Sequence, residues 1–516
     1  VVVTVPIGET DVAAQVWRAR VGGVTLLLLD TDRPENDAVA RWITARLYVG
    51  DPDVRLAQYL VLGVGGARAL EALGIEPDVV HLNEGHAAFA ALELTARGRR
   101  AGATAEDALA AARARTVFTT HTPVPAGNDT YAPDQVAAAA GRLADEAGLG
   151  VEGLVRLGRT HPDDPQEPFG VTQFALRTSR AANGVSARHG DVARGMWQGL
   201  WPERAVEDVP IGSVTNGVHV PTWLGAPMRE LLDRALGDGW LQRAADPQTW
   251  APLADVPAAD LWAAREAQRA TLIAGARERA QRERLQRGDS IAHARAAEAL
   301  DPSALTLGFA RRVATYKRIG LLIGELEANL ALLHGDRPIQ LLIAGKAHPR
   351  DDEAKRTLQG LFAVRGADGV GRRVTFLEDY DVESAALLVA GCDVWVNLPR
   401  PPLEASGTSG MKSAVNGGLQ LSVLDGWWAE GYDGSNGWAL PGDVWEDQAA
   451  QDARDAGELH RIVAEEVVPL FGDRGEDGIP HAWVERVRRS MMTNGPRFSA
   501  GRMVDDYVRD IYPRGR

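Results

Sequence analysis

Short β-branched or leucine-rich runs recur along this chain, each followed by a polar loop and then by a segment rich in alanine, glutamate and arginine at helical spacing. No other feature restricts the fold as strongly. A strand that returns through a helix to pair with a like strand runs parallel to it, so the alternation specifies an α/β chain with mostly parallel sheets. In one stretch "PDVVHLN" leads into "GHAAFAALELTARG"; in another, "TVFTTHTPVPAG" gives a strand and a long polar loop. Further strands are expected within "ALTLGFARRVATYKRIGLLIGELEANLALL", "IQLLIAGKAHP", "RVTFLEDYDVESAALLVAG", "CDVWVNLPRPP" and "LQLSVLDGWW". The stretch from Asp255 to Leu300 is rich in Ala, Arg and Glu, has only Gly275 and Gly288 to interrupt it, and reads as helix beside or between the sheets. Open α/β sheets take their ligands in loops past the carboxyl ends of the strands, so polar residues there are the first candidates for function.

Composition narrows the classes. A chain of 516 residues accommodates two large domains. The formal charge of -14 is spread among interspersed signs without a basic stripe, which disfavours nucleic acid and anionic membranes as partners. The most apolar stretch, "VTLLLLD", is far too short to cross a bilayer. One cysteine, Cys392, can form neither an internal disulfide nor a cysteine metal site; it is expected as a small buried residue at a strand start, in keeping with a reducing cytoplasm. The 11 histidines are scattered without H-E-x-x-H spacing, so no metal site is expected. The opening "VVVTVPIGET" has no initiator methionine and no signal-peptide pattern, and the chain is read as a fragment.

The run "EASGTSGMK", residues 404 to 412, follows the strand "DVWVN" and carries the most chemistry. It is expected to form a tight turn with converging glycine amides and then a helix "MKSAVNG", with Lys412 close to the helix start. Amides and dipole at such a start favour an anion. The same residues also suit a plain loop with an exposed lysine. A Walker A loop is excluded by the glycine spacing and by Met411 ahead of the lysine. "GVGGAR", residues 63 to 68, reads as a glycine-rich turn before the helix-like "ALEAL", without the company a functional loop needs.

The company of "EASGTSGMK" is specific. "HLNEGH", "HTPVPAG", "TNGVHVPTW", "YKR", "AGKAHP" and "FLEDY" precede it, and from about Pro77 to Trp438 the chain resembles the α-glucan phosphorylases, the pyridoxal-phosphate enzymes that act on glycogen, starch and maltodextrin. "HTPVPAGND" and "DGWWAEGYDGSNGW" are similar to the shorter bacterial branch. The resemblance implies a GT-B architecture: an N-terminal Rossmann-like domain over residues 1–224, a cofactor-binding Rossmann-like domain over 225–494 facing it across a cleft, and a helix in 495–516 crossing back. It implies retaining phosphorolysis of a terminal α-1,4-linked glucose by inorganic phosphate, giving glucose 1-phosphate, with the 5′-phosphate of the cofactor exchanging a proton with the substrate phosphate. It implies a cytoplasmic enzyme, and family members are commonly dimers.

Roles follow position by position. Lys412 is implied to hold pyridoxal 5′-phosphate as a Schiff base, Arg311, Gly407, Thr408 and Ser409 to cradle its phosphate, and Tyr380 and Trp223 to touch it. Arg312 and Lys317 are implied to bind inorganic phosphate. The glucose site is implied at His121, Asn216, Tyr316, Glu404, Ala405, Ser406 and Gly407, and the acceptor side at Glu84 and His86. Arg311 stands where long-form members have lysine, and Glu84 where aspartate is common. The family's upstream G-N-G-G-L-G-R loop is missing, which suggests that the start of the N-terminal domain is absent. Two alternatives stand beside phosphorolysis: a nucleotide-sugar glucan synthase of the same architecture, and a catalytically incomplete fragment that binds glucan or cofactor. An aminotransferase would need an acid for the pyridine nitrogen and a carboxylate clamp, and neither is identifiable.

Overall fold

The computed structural model describes residues 1–47, 49–124, 127–322, 333, 337, 339–347, 351–365 and 373–513. Most of "GELEANLALL", Pro125 and Ala126 of "HTPVPAG", and His348 and Pro349 of "AGKAHP" lie outside them. The chain divides into two compact units, one of Val1–Val214 with the chain from Tyr507, the other Thr215–Asp506.

The first unit opens with an antiparallel sheet that the alternation pattern did not announce. Strands β1 (Val2–Ile7), β2 (Thr10–Val21) and β3 (Val24–Asp30) pair in that order. Its signal was the dipeptide Gly22-Gly23 between apolar runs: Gly22 has φ +59°, the left-handed conformation that a two-residue hairpin turn demands. The parallel sheet comes next, with order β4 (Val80–Asn83), β5 (Thr116–Thr119), β8 (Ala181–Gly184) and β9 (Ile211–Ser213). The short β6 (Thr130–Tyr131) and β7 (Phe169–Gly170) form an antiparallel ribbon. Phe89, Phe118, Phe169 and Phe174 are buried in this unit's core, with the Phe89 and Phe169 rings stacked 6.0 Å apart.

"GVGGAR" is not a turn. Helix α1 (Pro52–Leu60) runs through one wide helical turn (Val61–Gly65) into α2 (Gly66–Ala72), all with right-handed backbone at the joins. A Cβ at Gly63 would come within 2.7 Å of the Ala90 nitrogen, so this glycine allows close packing against the start of α3 (Ala90–Arg100).

The second unit holds six parallel strands, β10 (Leu305–Ala310), β11 (Ile339–Ala344), β12 (Val374–Leu377), β13 (Val394–Asn397), β14 (Leu419–Val423) and β15 (Gly437–Leu440). Their spatial order is β12-β11-β10-β13-β14-β15. Counted from the first, that is third, second, first, fourth, fifth, sixth, the Rossmann order, whose direction of winding reverses between β10 and β13. Every residue of β10, β11, β13 and β14 is buried, which explains why these strands read as unbroken apolar runs. Cys392, fully buried, lies just ahead of β13.

The expected helix around Asp255–Leu300 is a long one, α4 (Ala258–Gln286), and it ends just before Gly288, which has φ +85°. It packs on α5 (Val382–Gly391). Its buried arginines anchor it: Arg269 donates to Asp393 Oδ1 at 2.7 Å, and Arg265 donates to the carbonyls of Ala390, Cys392 and Asn416 at 2.6–2.8 Å. Among the described residues, no helix is long and apolar enough to cross a membrane.

Candidate active site

Most of the predicted residues of the second unit sit on the loops that leave β10 and β13, the two strands between which the winding reverses. The loop after β10 carries Arg311 to Lys317, and the loop after β13 carries Glu404 to Gly407 and then α6 (Thr408–Ala414).

Here one expectation needs correction. The helix begins at Thr408, inside the glycine-rich run, so Lys412 lies in its last turn. Gly410 is buried within the helix, where a Cβ would come 2.5 Å from Gln420 Oε1. The residue that makes the turn is Gly407, at φ +89°. What brings Lys412 into play is packing: its ammonium lies 3.7 Å from the centre of the Trp223 ring, a cation–π contact, and burial lowers its pKa from the ordinary lysine value. Trp223 and Tyr380 both pack on the apolar cluster that holds Ala310, Leu342, Cys392 and Trp395.

Beside this lies a buried charge cluster. Glu404 Oε2 accepts from Lys317 Nζ at 2.6 Å and from Arg311 Nη2 at 2.9 Å. Burial alone would raise the Glu404 carboxyl, but Arg311 and Lys317 more than offset it and hold it well below the usual carboxylate range. Burial and the neighbouring Arg311 lower Lys317, against the pull of Glu404. The Lys317 ammonium also stands 4.4 Å from the Tyr316 ring centre. Two cations thus share one carboxylate, and the Nε and Nη1 of Arg311 are buried without a hydrogen-bond partner among the described residues. Arg312 is exposed, and its charge acts on the Tyr316 hydroxyl. Glu404 is itself seated by Asp425, whose Oδ2 accepts from the Glu404 nitrogen at 2.9 Å. Ser406 Oγ is buried and has no hydrogen-bond partner among the described residues, Ala405 and Thr408 are half-buried, and Ser409 Oγ accepts from Trp395 Nε1 at 3.2 Å. Asn216, half-buried, uses its carbonyl to accept from Arg502 Nη2 at 3.1 Å. Arg318, the remaining basic residue of "YKR", is structural: Asp452, Asp455 and the carbonyls of Leu398 and Pro399 hold its guanidinium.

In the first unit the ends of the paired strands β4 and β5 bring Glu84 and His121 together. Glu84 Oε2 accepts from the His121 nitrogen at 2.7 Å and from Thr122 Oγ1 at 3.0 Å. The His121 ring bonds Asn83 Oδ1, and burial pushes its pKa down to about 4, so it is neutral at ordinary pH. His86 stands edge-on to Tyr59 at 5.2 Å, and Tyr59 donates to Asp129, which also takes Arg55 Nε at 2.7 Å.

Sequence reading passed over Asn83, Arg55, Tyr59, Asp129, Asp425 and Asn416. Asn83, Asp129, Asp425 and Asn416 stand inside quoted stretches and were within reach; Arg55 and Tyr59 come from a stretch without a motif. Among the described residues, no group of His, Cys, Asp and Glu could hold a metal ion.

The model of the carbohydrate phosphorylases matches residues 162–430, a span containing Arg311, Lys317, Glu404 and Lys412. A glycogen phosphorylase of Aquifex aeolicus is 39% identical over 97% of the chain and 72% of its own length. The chain belongs to the carbohydrate phosphorylase family. Other family relatives are a glycogen phosphorylase of Mycobacterium tuberculosis, 45% identical, and a maltodextrin phosphorylase of Thermococcus litoralis, 38% identical, each matched over 99% of this chain. The chain spans 60% of the length of those two phosphorylases.

Proposed function

We propose that this chain carries the catalytic residues of an α-1,4-glucan phosphorylase. Inorganic phosphate takes the terminal α-1,4-linked glucosyl group of a glycogen, starch or maltodextrin chain, releasing glucose 1-phosphate with its anomeric configuration kept. The observation that carries this reading is Arg311: a guanidinium with two buried nitrogens that have no partner among the described residues, beside Lys317 and one shared carboxylate. Buried donors left unmatched cost about 1–3 kcal/mol each, so such a group is built for an anion.

The donor set fits pyridoxal phosphate. Lys412 Nζ would hold it covalently, Trp223 and Tyr380 would flank it, and Arg311 with Gly407, Thr408 and Ser409 would take its phosphate. When bound, its phosphate group supplies a proton to inorganic phosphate and recovers it. The remaining tasks belong to the protein. Burial favours the neutral amine of Lys412 that covalent attachment requires. Lys317 and Arg312 bind inorganic phosphate and offset a repulsion between two phosphates on the order of several kcal/mol. Glu404 holds both cations through Oε2, which leaves Oε1 to accept from a sugar hydroxyl. Ser406 Oγ, Ala405, Tyr316 and Asn216 complete the sugar contacts of the second unit; in the first unit neutral His121 is assigned to the sugar and His86 to the acceptor. The relatives' names support glucan as substrate. A nucleotide-sugar synthase would give Lys412 and its Trp223 platform no task. The reading places the chain in the cytoplasm, where the buried thiol of Cys392 stays reduced.

The test is an absorbance spectrum of the purified chain after incubation with pyridoxal phosphate, before and after borohydride reduction, with Lys412→Ala alongside and glucose 1-phosphate release from maltodextrin assayed on the same samples. A cofactor band absent from Lys412→Ala, together with phosphate-dependent product, is expected. A wild-type chain without any cofactor band would refute the assignment of Lys412.

A further inference from the structure

Glu84 departs from ordinary backbone in conformation. Its nitrogen extends the β4–β5 ladder by one bond, donating to the Thr119 carbonyl at 2.8 Å. Its backbone then takes φ +67° and ψ 175°, a region occupied almost only by glycine. A longer side chain held in such a conformation needs a reason, and its hydrogen bonds provide one. Oε2 accepts from the His121 nitrogen at 2.7 Å and from Thr122 Oγ1 at 3.0 Å, while Oε1 accepts from the Gly85 nitrogen at 3.2 Å. Among the described residues no Arg, Lys or His forms an ion pair with it. Its carboxylate is spent on the loop that carries His121.

We infer that Glu84 is a positioning residue: its carboxylate fixes the backbone of His121 and Thr122 from the neighbouring strand, while Asn83 steadies the His121 ring from the same turn. The length of the glutamate side chain is part of the device, since it lets a carboxylate at the end of β4 span to the loop after β5. Glu84 thereby acts through His121 and leaves acceptor-glucan contacts to other residues. The kinetic half of this inference rests on the phosphorylase reading; the structural half does not.

The experiment compares the full chain with Glu84→Asp, Glu84→Gln and Glu84→Gly. Glycine accepts φ +67° without strain, so the last variant removes the carboxylate while favouring the fold. Two readouts are taken: hydrogen exchange of the His121 amide, and kcat and KM for maltodextrin. Expected in Glu84→Asp and Glu84→Gly is a rise of about tenfold or more in His121 amide exchange against unchanged exchange in β8 and β9. Glu84→Gln, which keeps an oxygen at the same reach, restores most of the protection. In turnover, kcat falls about 10- to 100-fold with KM little changed, the signature of a displaced catalytic group. A rise in KM with kcat retained and His121 exchange unmoved would overturn the inference and make Glu84 a glucan contact. If the chain proves inactive, the exchange data still decide it: protection equal to wild type in all three variants refutes it.

Discussion

Glu404 shows how one residue can serve two chemistries. Its buried carboxylate balances Lys317 and Arg311, so removing its charge leaves two cations in a low-dielectric site. Glu404→Gln keeps the shape and removes the anion; a loss of about 3 kcal/mol is expected, read from the midpoint of urea unfolding, with Lys317 driven to a still lower pKa. A loss below about 0.5 kcal/mol would mean that the cations need no internal partner. The sequence marked Glu404, Lys317 and Arg311 as candidates through the family resemblance of the motifs that hold them. It did not reveal that they touch, because they are brought together by the parallel pairing of β10 with β13. The bond between Tyr59 and Asp129 was illegible for the same reason: it joins residues 70 positions apart.

At the scale of elements, helix α6 is placed by its far end. Asn416, just past it, accepts from the Gly225 nitrogen at 2.7 Å and donates to the carbonyls of Trp223 at 2.7 Å and Lys412 at 2.9 Å. Its own carbonyl takes Arg265 of α4 at 2.8 Å. One buried amide thus ties together the helix of Lys412, the segment of Trp223 and the long helix. Asn416→Ala should cost about 2–3 kcal/mol, since it strands several buried donors and acceptors. It should also free the Trp223 ring from Lys412, seen as weakened retention of pyridoxal phosphate on dialysis. Full retention with unchanged stability would contradict this role. Sequence reading found this helix and misplaced its start, because glycine and serine are poor helix formers in isolation. Burial of Gly410 against Gln420 and Trp427 reverses that local preference.

For the whole molecule, the histidines of the first unit set an acid limit. His189 is fully buried, its Nδ1 accepts from the Val185 nitrogen at 3.1 Å, and burial pushes its pKa from 6.5 down to about 4; His121 shifts the same way. The unfolded chain takes up these protons below pH 6.5 and the folded chain declines them until about pH 4. Stability from this source is therefore full above pH 6.5 and is lost as pH falls toward 4, by about 3 kcal/mol at most for His189. Thermal midpoints measured from pH 7 to pH 4.5 should fall across this window, and a flat profile would refute the assignment. The sequence by itself determined the α/β class, the parallel strands and the family, because strand and helix periods and ordered motifs are local signals. Only the tertiary structure decided the 3-2-1-4-5-6 order of the second sheet, the antiparallel sheet of β1–β3 and the sharing of Glu404 by two cations. Those features depend on which distant segments pair, and burial and pairing energies set that choice where local preference is silent.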